Sequence, residues 1–439
     1  MRQLLIVFLA LCLFSGSAVA QEATPANARE LPPGVIVPDA AVAGANFDVD
    51  KATEAYIELL TPEQRAQSDA YFEGGYWLQL WGFLYGLLVC AVFIATGLSQ
   101  KLRDIAKRIS HRPWLYTAIY AALWLLAGTL LGLPLSLYAD YYREHAYGLS
   151  NLSLGAWFAE SGKSLLVGLI ILPWIISGLF AAVRKAGERW WLGAGLGGFV
   201  VILMLGMIAP VFISPLFNDY KPLPEGPVKS AIYSLARANQ IPTDNVVFFD
   251  ASRQTTRVSA NVSGFAGTTQ VSLNDNLLNK TSLPEIKAVM GHEMGHYVLN
   301  HSLRLTVYLS ILIIFGFWFV HTVLDKAIIR FGHRYGITER TDPAVLPIAV
   351  AVFSLFFLLL TPVTNSMTRQ AEKEADLYGL NAAREPHGFA TTAMRLSSYR
   401  KIHPGYWEEV FFYDHPSGYD RVHSAMLWLQ ENQGPEKSP

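Results

Sequence analysis

Residues 288–296 read AVMGHEMGH, and the rest of the sequence is best understood by working outwards from this stretch. Because an α-helix makes one turn every 3.6 residues, the His-Glu-x-x-His spacing places His292 and His296 on the same helix face. Two imidazoles in that arrangement can bind one Zn²⁺ ion, and Glu293 beside them can take a proton from water. The stretch predicts a zinc site with Glu293 as catalytic base, although so short a motif also occurs by chance.

The residues that precede this motif predict where its helix begins. Ser282 is a typical N-cap residue, Pro284 fits the first turn, and Glu285 occupies the third helical position of a capping box. We therefore expect the motif to lie in the middle of a helix.

Residues 369–376, RQAEKEAD, offer the third protein ligand that a catalytic zinc site needs. Glu372 and Asp376 are four residues apart and share one helix face. We expect Glu372 to complete the ligand set of one zinc ion per chain. Asp376 would accept a hydrogen bond from a ligating histidine and so fix its tautomer. Glu374 faces another direction and is assigned to the surface; for this segment alone, a solvated charged helix turn is the alternative.

The composition is that of a polytopic membrane protein. Hydrophobic residues make up 52% of the 439 residues, charged residues make up 16%, and the net charge is −1. This charge gives no support to nucleic-acid binding. The two cysteines, Cys12 and Cys90, predict no intramolecular disulfide bond. Six apolar stretches are each long enough to cross a bilayer: about 76–98, 115–138, 164–183, 190–213, 303–324 and 344–366.

The order of these stretches divides the chain into six parts. Residues 1–20 have the basic, apolar and small-residue regions of a cleaved signal peptide, with an uncleaved membrane helix as the alternative. Residues 21–75 form an extracytoplasmic segment that starts with a loose linker over 21–45. Four membrane helices (76–213), a catalytic segment (214–302), two further membrane helices (303–366) and a C-terminal catalytic segment (367–439) follow. The catalytic segment predicts a helix near 226–239 and short strands near 245–250 and 269–273.

Basic residues predict the orientation in the membrane. Lys and Arg concentrate in three alternate loops, after the first, third and fifth spans, and such loops face the cytoplasm. The His-Glu-x-x-His motif follows the fourth span and Glu372 follows the sixth. All three metal ligands therefore return to one membrane face, which we expect to be the periplasmic face of a bacterial inner membrane.

Several stretches resemble one known family. The paired metal motifs, residues 142–150 (YREHAYGLS), residues 215–226 (PLFNDYKPLPEG), and His415-Pro416 followed by Arg421 are similar to integral-membrane zinc metallopeptidases related to the eukaryotic type I CaaX prenyl protease. The resemblance covers roughly residues 70–430. It implies a mainly α polytopic fold with a zincin-like α+β catalytic domain and a short β-sheet. The eukaryotic relatives are understood to open their catalytic side to the cytosol, which differs from the orientation expected here.

The resemblance also implies roles for three further residues. Asn261, within an extended stretch, matches a position that contacts the substrate backbone; a turn residue is the alternative. His415 matches a group that stabilises the oxyanion of the tetrahedral intermediate. Asp414 stands where relatives often have Ser, and its carboxylate would favour a protonated His415. Arg421 is assigned to substrate binding.

These observations favour a zinc-dependent membrane endopeptidase that acts on a peptide or protein substrate. The alternative is a catalytically inactive zinc-binding scaffold or a transporter, but the six spans contain almost no charge, and ion pathways need charge. Relatives imply cleavage near a prenylated cysteine. In a bacterium, peptides, lipoproteins and damaged membrane proteins remain equal alternatives. The sequence does not predict the oligomeric state.

Overall fold

The computed structural model describes residues 31, 34–243, 245–263, 269–397 and 399–433. The expected signal peptide over residues 1–20 lies outside the described residues. Helices dominate the described part, and fifteen α-helices are numbered here in chain order: α1 Val49–Ile57, α2 Pro62–Ala95, α3 Leu98–Ile109, α4 Pro113–Ser136, α5 Arg143–Ala146, α6 Leu154–Ala186, α7 Trp190–Ile208, α8 Pro227–Ala238, α9 Asp275–Lys280, α10 Leu283–Val298, α11 His301–Ala327, α12 Leu346–Ala383, α13 Pro386–Leu396, α14 Tyr406–Phe412 and α15 Gly418–Gln433.

The described residues contain five continuous helical runs that are long and apolar enough to cross a membrane. The 63-residue run Leu154–Leu216 is interrupted at Gly187, where φ is +52°. A Cβ on Gly193 would lie 3.8 Å from the Cβ of Ala182, so the chain reverses and α6 packs against α7. The six expected apolar spans therefore correspond to helices α2, α4, α6, α7, α11 and α12.

A four-stranded sheet forms the β part of the catalytic region. Its strands are β1 Tyr220–Pro222, β2 Asn245–Phe249, β3 Ala260–Ser263 and β4 Gln270–Asn274, in the spatial order β1-β2-β4-β3. The β2–β4 pair is parallel, and the other two pairs are antiparallel. Strand β3 is therefore at one edge of the described sheet, and its register places Asn261 opposite Ser272.

The apolar face of helix α10, which carries the His-Glu-x-x-His motif, fixes the orientation of the helix. Ile286, Met290 and Met294 enter the apolar core beneath the sheet, where each is at most 2% exposed. They recur every fourth residue and so share one face of the helix. His292 and His296 lie on the opposite side of the helix. Their side chains therefore point away from this apolar core and into a cleft. Burial of the apolar face thus fixes the direction of both imidazoles.

The segment before the first membrane helix is packed against the catalytic region, which corrects the expectation of a loose linker over its later part. Tyr56 and Ile57 of α1 are fully buried in a core shared with α13 and α15. The backbone N–H of Ile36 donates to Thr391 Oγ1 at 3.3 Å. Composition rich in Ala, Pro and Val does not reveal this, because the contacts come from residues more than 300 positions away.

Candidate active site

Three donor groups from two distant segments converge in the cleft beside α10. The Nε2 atoms of His292 and His296 are 3.0 Å apart. Glu372 on α12 places Oε2 at 3.4 Å from His292 Nε2 and Oε1 at 3.3 Å from His296 Nε2. The structure therefore brings together the three residues that the sequence predicts as metal ligands.

Glycines allow α10 and α12 to approach so closely. A Cβ on Gly379 would lie 2.7 Å from the backbone nitrogen of His292, and a Cβ on Gly291 would lie 2.9 Å from the carbonyl oxygen of Gly379. Neither distance leaves room for a side chain. Gly295 meets the backbone of Ala375 in the same way, at 3.2 Å. The two helices that carry the three donor groups are thus in backbone contact.

The donor atoms fit a tetrahedral metal ion. Zinc ligands lie about 2.0–2.1 Å from the metal, so two ligand atoms of a tetrahedral site are about 3.3 Å apart. The imidazole nitrogens are 3.0 Å apart, and each lies 3.3–3.4 Å from a different oxygen of Glu372, so the group is compact enough to hold one metal ion. Two imidazoles and one carboxylate are also the ligand types of catalytic zinc sites that keep a fourth position open.

Further polar groups contact the three donor groups from behind. Asp376 Oδ1 lies 2.7 Å from His292 Nδ1, the arrangement expected from the sequence. Arg421 Nη2 donates to Glu372 Oε2 at 3.0 Å, and its Nε lies 3.0 Å from Asp376 Oδ2. Arg421 is 8% exposed. These contacts place the Arg421 guanidinium against Glu372 and Asp376, and the substrate contact expected of Arg421 stays a prediction.

Ionisation in the cleft follows from burial and from neighbouring charges. Burial raises the pKa of the Glu293 carboxyl, and the nearby His292 and His296 only partly oppose this. Burial lowers the pKa of His292, but hydrogen bonds with Asp376 and Glu372 outweigh it and raise that pKa to about 10 when no metal is bound. A carboxyl with a raised pKa is a better proton acceptor, which suits Glu293 to general-base chemistry.

The cleft itself has a volume of about 320 Å³, and Glu293, His415 and Val258 are among the residues that line it together with the three donor groups. His415 Nδ1 lies 2.7 Å from Asp414 Oδ1, and its Nε2 lies 3.4 Å from Glu372 Oε2. With Nδ1 held by the carboxylate, Nε2 faces the donor cluster. This geometry lets His415 donate to negative charge that develops in the cleft.

The stretch that leads into β3 forms one wall of the cleft. Val258, Ser259 and Ala260 line it, whereas Asn261 is exposed on the edge strand and is not among the lining residues. Loop residues 142–150 support this stretch: the N–H of Thr256 donates to the carbonyl of Leu149 at 3.2 Å. The substrate contact expected of Asn261 stays a prediction.

The cleft adjoins a larger chamber of about 960 Å³ between the catalytic region and the membrane helices. Val258, Ser259, Tyr399 and Arg400 line both spaces. The chamber also contacts the membrane helices, through Tyr76, Gln79 and Thr361 among others. A long, extended ligand therefore has room on the membrane side of the metal-binding cluster.

Sequence reasoning missed one group beside the metal cluster. His301 Nδ1 lies 2.9 Å from His296 Nδ1, and its Nε2 lies 3.2 Å from Glu374 Oε2. Helix periodicity predicts no role for His301 and assigns Glu374 to the surface. Asn300, with φ of +54°, separates α10 from α11 and was an available signal, because Asn is tolerant of the left-handed conformation that ends helices.

Family profiles match almost the whole described chain. One described as "CAAX prenyl protease N-terminal, five membrane helices" matches residues 49–219, and one described as "Peptidase family M48" matches residues 222–428. The first range holds α2, α4, α6 and α7 together with the shorter, amphipathic α3. The second range holds the sheet and every group in the cleft.

Individual proteins and a solved structure are similar to this chain over most of its length. The metalloprotease YhfN of Bacillus subtilis is 27% identical over 390 residues, which cover 88% of this chain and 90% of that protein. CAAX prenyl protease 1 of Saccharomyces cerevisiae is 26% identical, over 81% of this chain and 83% of that protein. The crystal structure of S. mikatae Ste24p has the same fold, with a TM-score of 0.70 over 84% of this chain and 89% of that one, at 23% identity.

The two profiles, the relatives and the membrane helices around a His-Glu-x-x-His cleft lead to one conclusion. The chain belongs to peptidase family M48 and is a multi-pass membrane metalloendopeptidase.

Proposed function

We propose that this protein uses one zinc ion, held by His292, His296 and Glu372, to hydrolyse peptide bonds within protein segments near the membrane surface. The observation that carries the proposal is the convergence of three donor groups that can hold one metal ion, with Glu293 in the same cleft. An inactive scaffold would need the metal ligands but would have no use for a desolvated carboxyl beside them.

Each group in the cleft takes one role in this proposal. Zinc, when bound, would supply a Lewis acid that polarises the scissile carbonyl and lowers the pKa of water. Glu293 takes the proton of the attacking water and later delivers it to the leaving amine. His415, oriented by Asp414, donates from Nε2 to the developing oxyanion. Asp376 and Arg421 hold the ligands, and we therefore assign Arg421 to ligand positioning.

The edge strand β3 supports the mode of substrate binding. A peptide added alongside residues 258–261 would receive backbone hydrogen bonds from an edge that no described strand pairs with, and Asn261 would add a side-chain contact. This binding mode recognises the extended backbone of the substrate and depends on few of its side chains. Relatives named CAAX prenyl proteases suggest a lipidated substrate, but strand addition requires only an extended segment. We propose peptide segments of membrane-associated proteins as the substrate class.

The distribution of charge supports a bacterial inner-membrane location with the site on the periplasmic side. Arg103 of α3 pairs with Asp342 in the loop before α12, and Arg340 of that same loop pairs with Glu188 in the turn between α6 and α7. These loops connect the ends of the membrane helices that lie away from the metal cluster. Basic loops face the cytoplasm, so the cluster faces the opposite side.

The test is zinc content together with peptide cleavage for the purified protein in detergent. Glu293→Gln should retain about one zinc ion per chain, because Glu293 is not a ligand. Its cleavage rate should fall about 10²–10⁴-fold, the usual contribution of a general base. Glu372→Ala should lose zinc and activity together.

Glu431→Gln is the matched control, because it makes the same substitution at an exposed position on α15. It should retain both zinc and activity. Wild-type protein that binds no zinc would exclude the zinc proposal. Substantial cleavage by Glu293→Gln would exclude Glu293 as the base while leaving the metal site intact.

A further inference from the structure

We propose that His301 is a positioning residue that fixes the tautomer and orientation of His296 by linking it to Glu374. The inference rests on the proposed zinc site, because His296 is one of its ligands. It adds a second support for the ligands, separate from the support that Asp376 gives to His292.

The contacts form a continuous chain of polar atoms. His296 Nδ1 lies 2.9 Å from His301 Nδ1, and His301 Nε2 lies 3.2 Å from Glu374 Oε2. Arg304 Nη2 donates to the same Glu374 oxygen at 2.8 Å, and Gln370 Nε2 donates to the other oxygen at 3.0 Å. The Glu374 carboxylate thus accepts three hydrogen bonds, two of them from groups that do not touch the metal cluster.

The proton positions on the two histidines follow from the carboxylate at the end of this series of polar contacts. A carboxylate that Arg304 and Gln370 hold in the ionised form can only accept, so the proton of a neutral His301 lies on Nε2. His301 Nδ1 is then an acceptor, and the facing Nδ1 of His296 must carry its own proton. The lone pair of His296 is therefore on Nε2, the atom that faces Glu372 and His292. One consistent assignment satisfies every contact and leaves His296 in the tautomer that binds a metal.

The burial of the His301 side chain indicates that it does more than fill space. Its side chain is 1% exposed, at the start of α11. An apolar residue of similar volume would fill this space without the cost of burying two ring nitrogens. The contacts of both nitrogens are instead made to a metal-binding imidazole on one side and a carboxylate on the other.

The backbone explains how His301 reaches this place. A continuous helix would carry position 301, five residues after His296, away from the face that carries His292 and His296. Asn300 instead adopts φ of +54° and ψ of 35°, so α10 ends and α11 begins in a new direction. That change returns the first side chain of α11 to the back of His296, while Glu374 approaches from α12.

Two substitutions separate positioning from packing. His301→Leu keeps volume but removes both hydrogen bonds. His301→Gln keeps one acceptor and one donor, so it can accept from His296 and donate to Glu374. Zinc affinity is measured by competition with a chelator, and the thermal unfolding of the metal-free protein is measured alongside.

We expect His301→Leu to bind zinc about 10–100-fold more weakly, the usual effect of removing the partner of a ligating histidine. His301→Gln should recover most of this loss, and both metal-free variants should unfold near the wild-type temperature. Wild-type zinc affinity in His301→Leu would overturn the inference. So would equal weakening in both variants with lower stability of the metal-free protein, which is the pattern of a packing residue.

Glu374→Ala keeps the inference testable if His301→Leu fails to fold. Glu374 is the outermost group in the series of polar contacts that starts at His296, and its side chain is 32% exposed. It should weaken zinc binding several-fold, with Lys373→Ala on the same helix as the unaffected control. Equal zinc affinity in these two variants would also overturn the inference. Failure of the proposed function would look different, since the wild-type protein itself would then bind no zinc.

Discussion

The contact between α10 and α12 differs sharply from the packing of the membrane helices. At the site, a Cβ on Gly379 would stand 2.7 Å from the backbone of His292. Within the bundle, a cavity of about 690 Å³ separates α2, α4 and α6, and Gly86, Gly128 and Gly132 line it with no atom near the position of a Cβ. Glycine therefore allows backbone contact between α10 and α12, whereas between α2, α4 and α6 it borders a cavity.

This difference shows what each region contributes. A metal site tolerates little displacement, because ligand atoms must remain within a few tenths of an ångström of their positions. Backbone contact between the two ligand-bearing helices limits such displacement. The open bundle cannot supply that precision, but it leaves space for lipid or for part of a substrate. One substitution, Gly→Ala, tests the comparison in three environments.

Gly379→Ala should have the largest effect. The new Cβ meets backbone atoms of α10, which cannot rotate away, so the helices must separate. We expect a loss of about 1–3 kcal/mol in the free energy of unfolding, as for other overpacked interiors. Cleavage should fall about 10²-fold or more, because catalytic geometry is lost with a displacement of about 1 Å. Metal content, thermal unfolding and peptide cleavage measure the three outcomes.

Gly316→Ala should have an intermediate effect that is confined to stability. Its Cβ would lie 2.9 Å from the ring of Phe353 and 3.2 Å from that of Phe356, and these side chains can move. We expect a loss of about 1 kcal/mol in the free energy of unfolding. Zinc affinity should not change, because α11 meets α12 here within the membrane part. A parallel loss of zinc would mean that the bundle transmits strain to the site, and the comparison would fail.

Gly128→Ala should have the smallest effect, and its sign should be opposite. No atom lies within 4 Å of the new Cβ, so the change only restricts the unfolded chain and improves helix propensity. We expect stabilisation of up to about 1 kcal/mol, with unchanged cleavage of short peptides. Destabilisation would show that the cavity between α2, α4 and α6 is smaller in solution than in the structure.

The sequence predicts the parts of the site that follow helix periodicity. The four-residue spacing of His292 and His296, and of Glu372 and Asp376, predicts which side chains share a face. The even number of apolar spans between them predicts that they meet on one membrane side. The helix and strands expected near 226–239, 245–250 and 269–273 agree with α8, β2 and β4 to within one or two residues.

The remainder does not follow from helix periodicity, because it depends on a single backbone conformation or on distant contacts. The approach of His301 to His296 depends on the left-handed backbone at Asn300, which helix periodicity does not contain. The paired contacts of Arg421 with Glu372 and Asp376 depend on how α15 packs beside α12. The resemblance named Arg421 as important but could not distinguish a substrate contact from a ligand contact.

Helix α12 sets how far above the bilayer this enzyme can cut. The same 38-residue helix crosses the membrane and carries Glu372, and only about six residues separate that ligand from the end of the apolar span near residue 366. At about 1.5 Å per residue, Glu372 stands about 9 Å along the helix axis from the end of the apolar span, and the proposed zinc ion would bring the scissile bond to a similar height. On the proposed site, folded domains held farther out would be out of reach, and a juxtamembrane segment would become accessible only once it unfolds or is pulled down to that height.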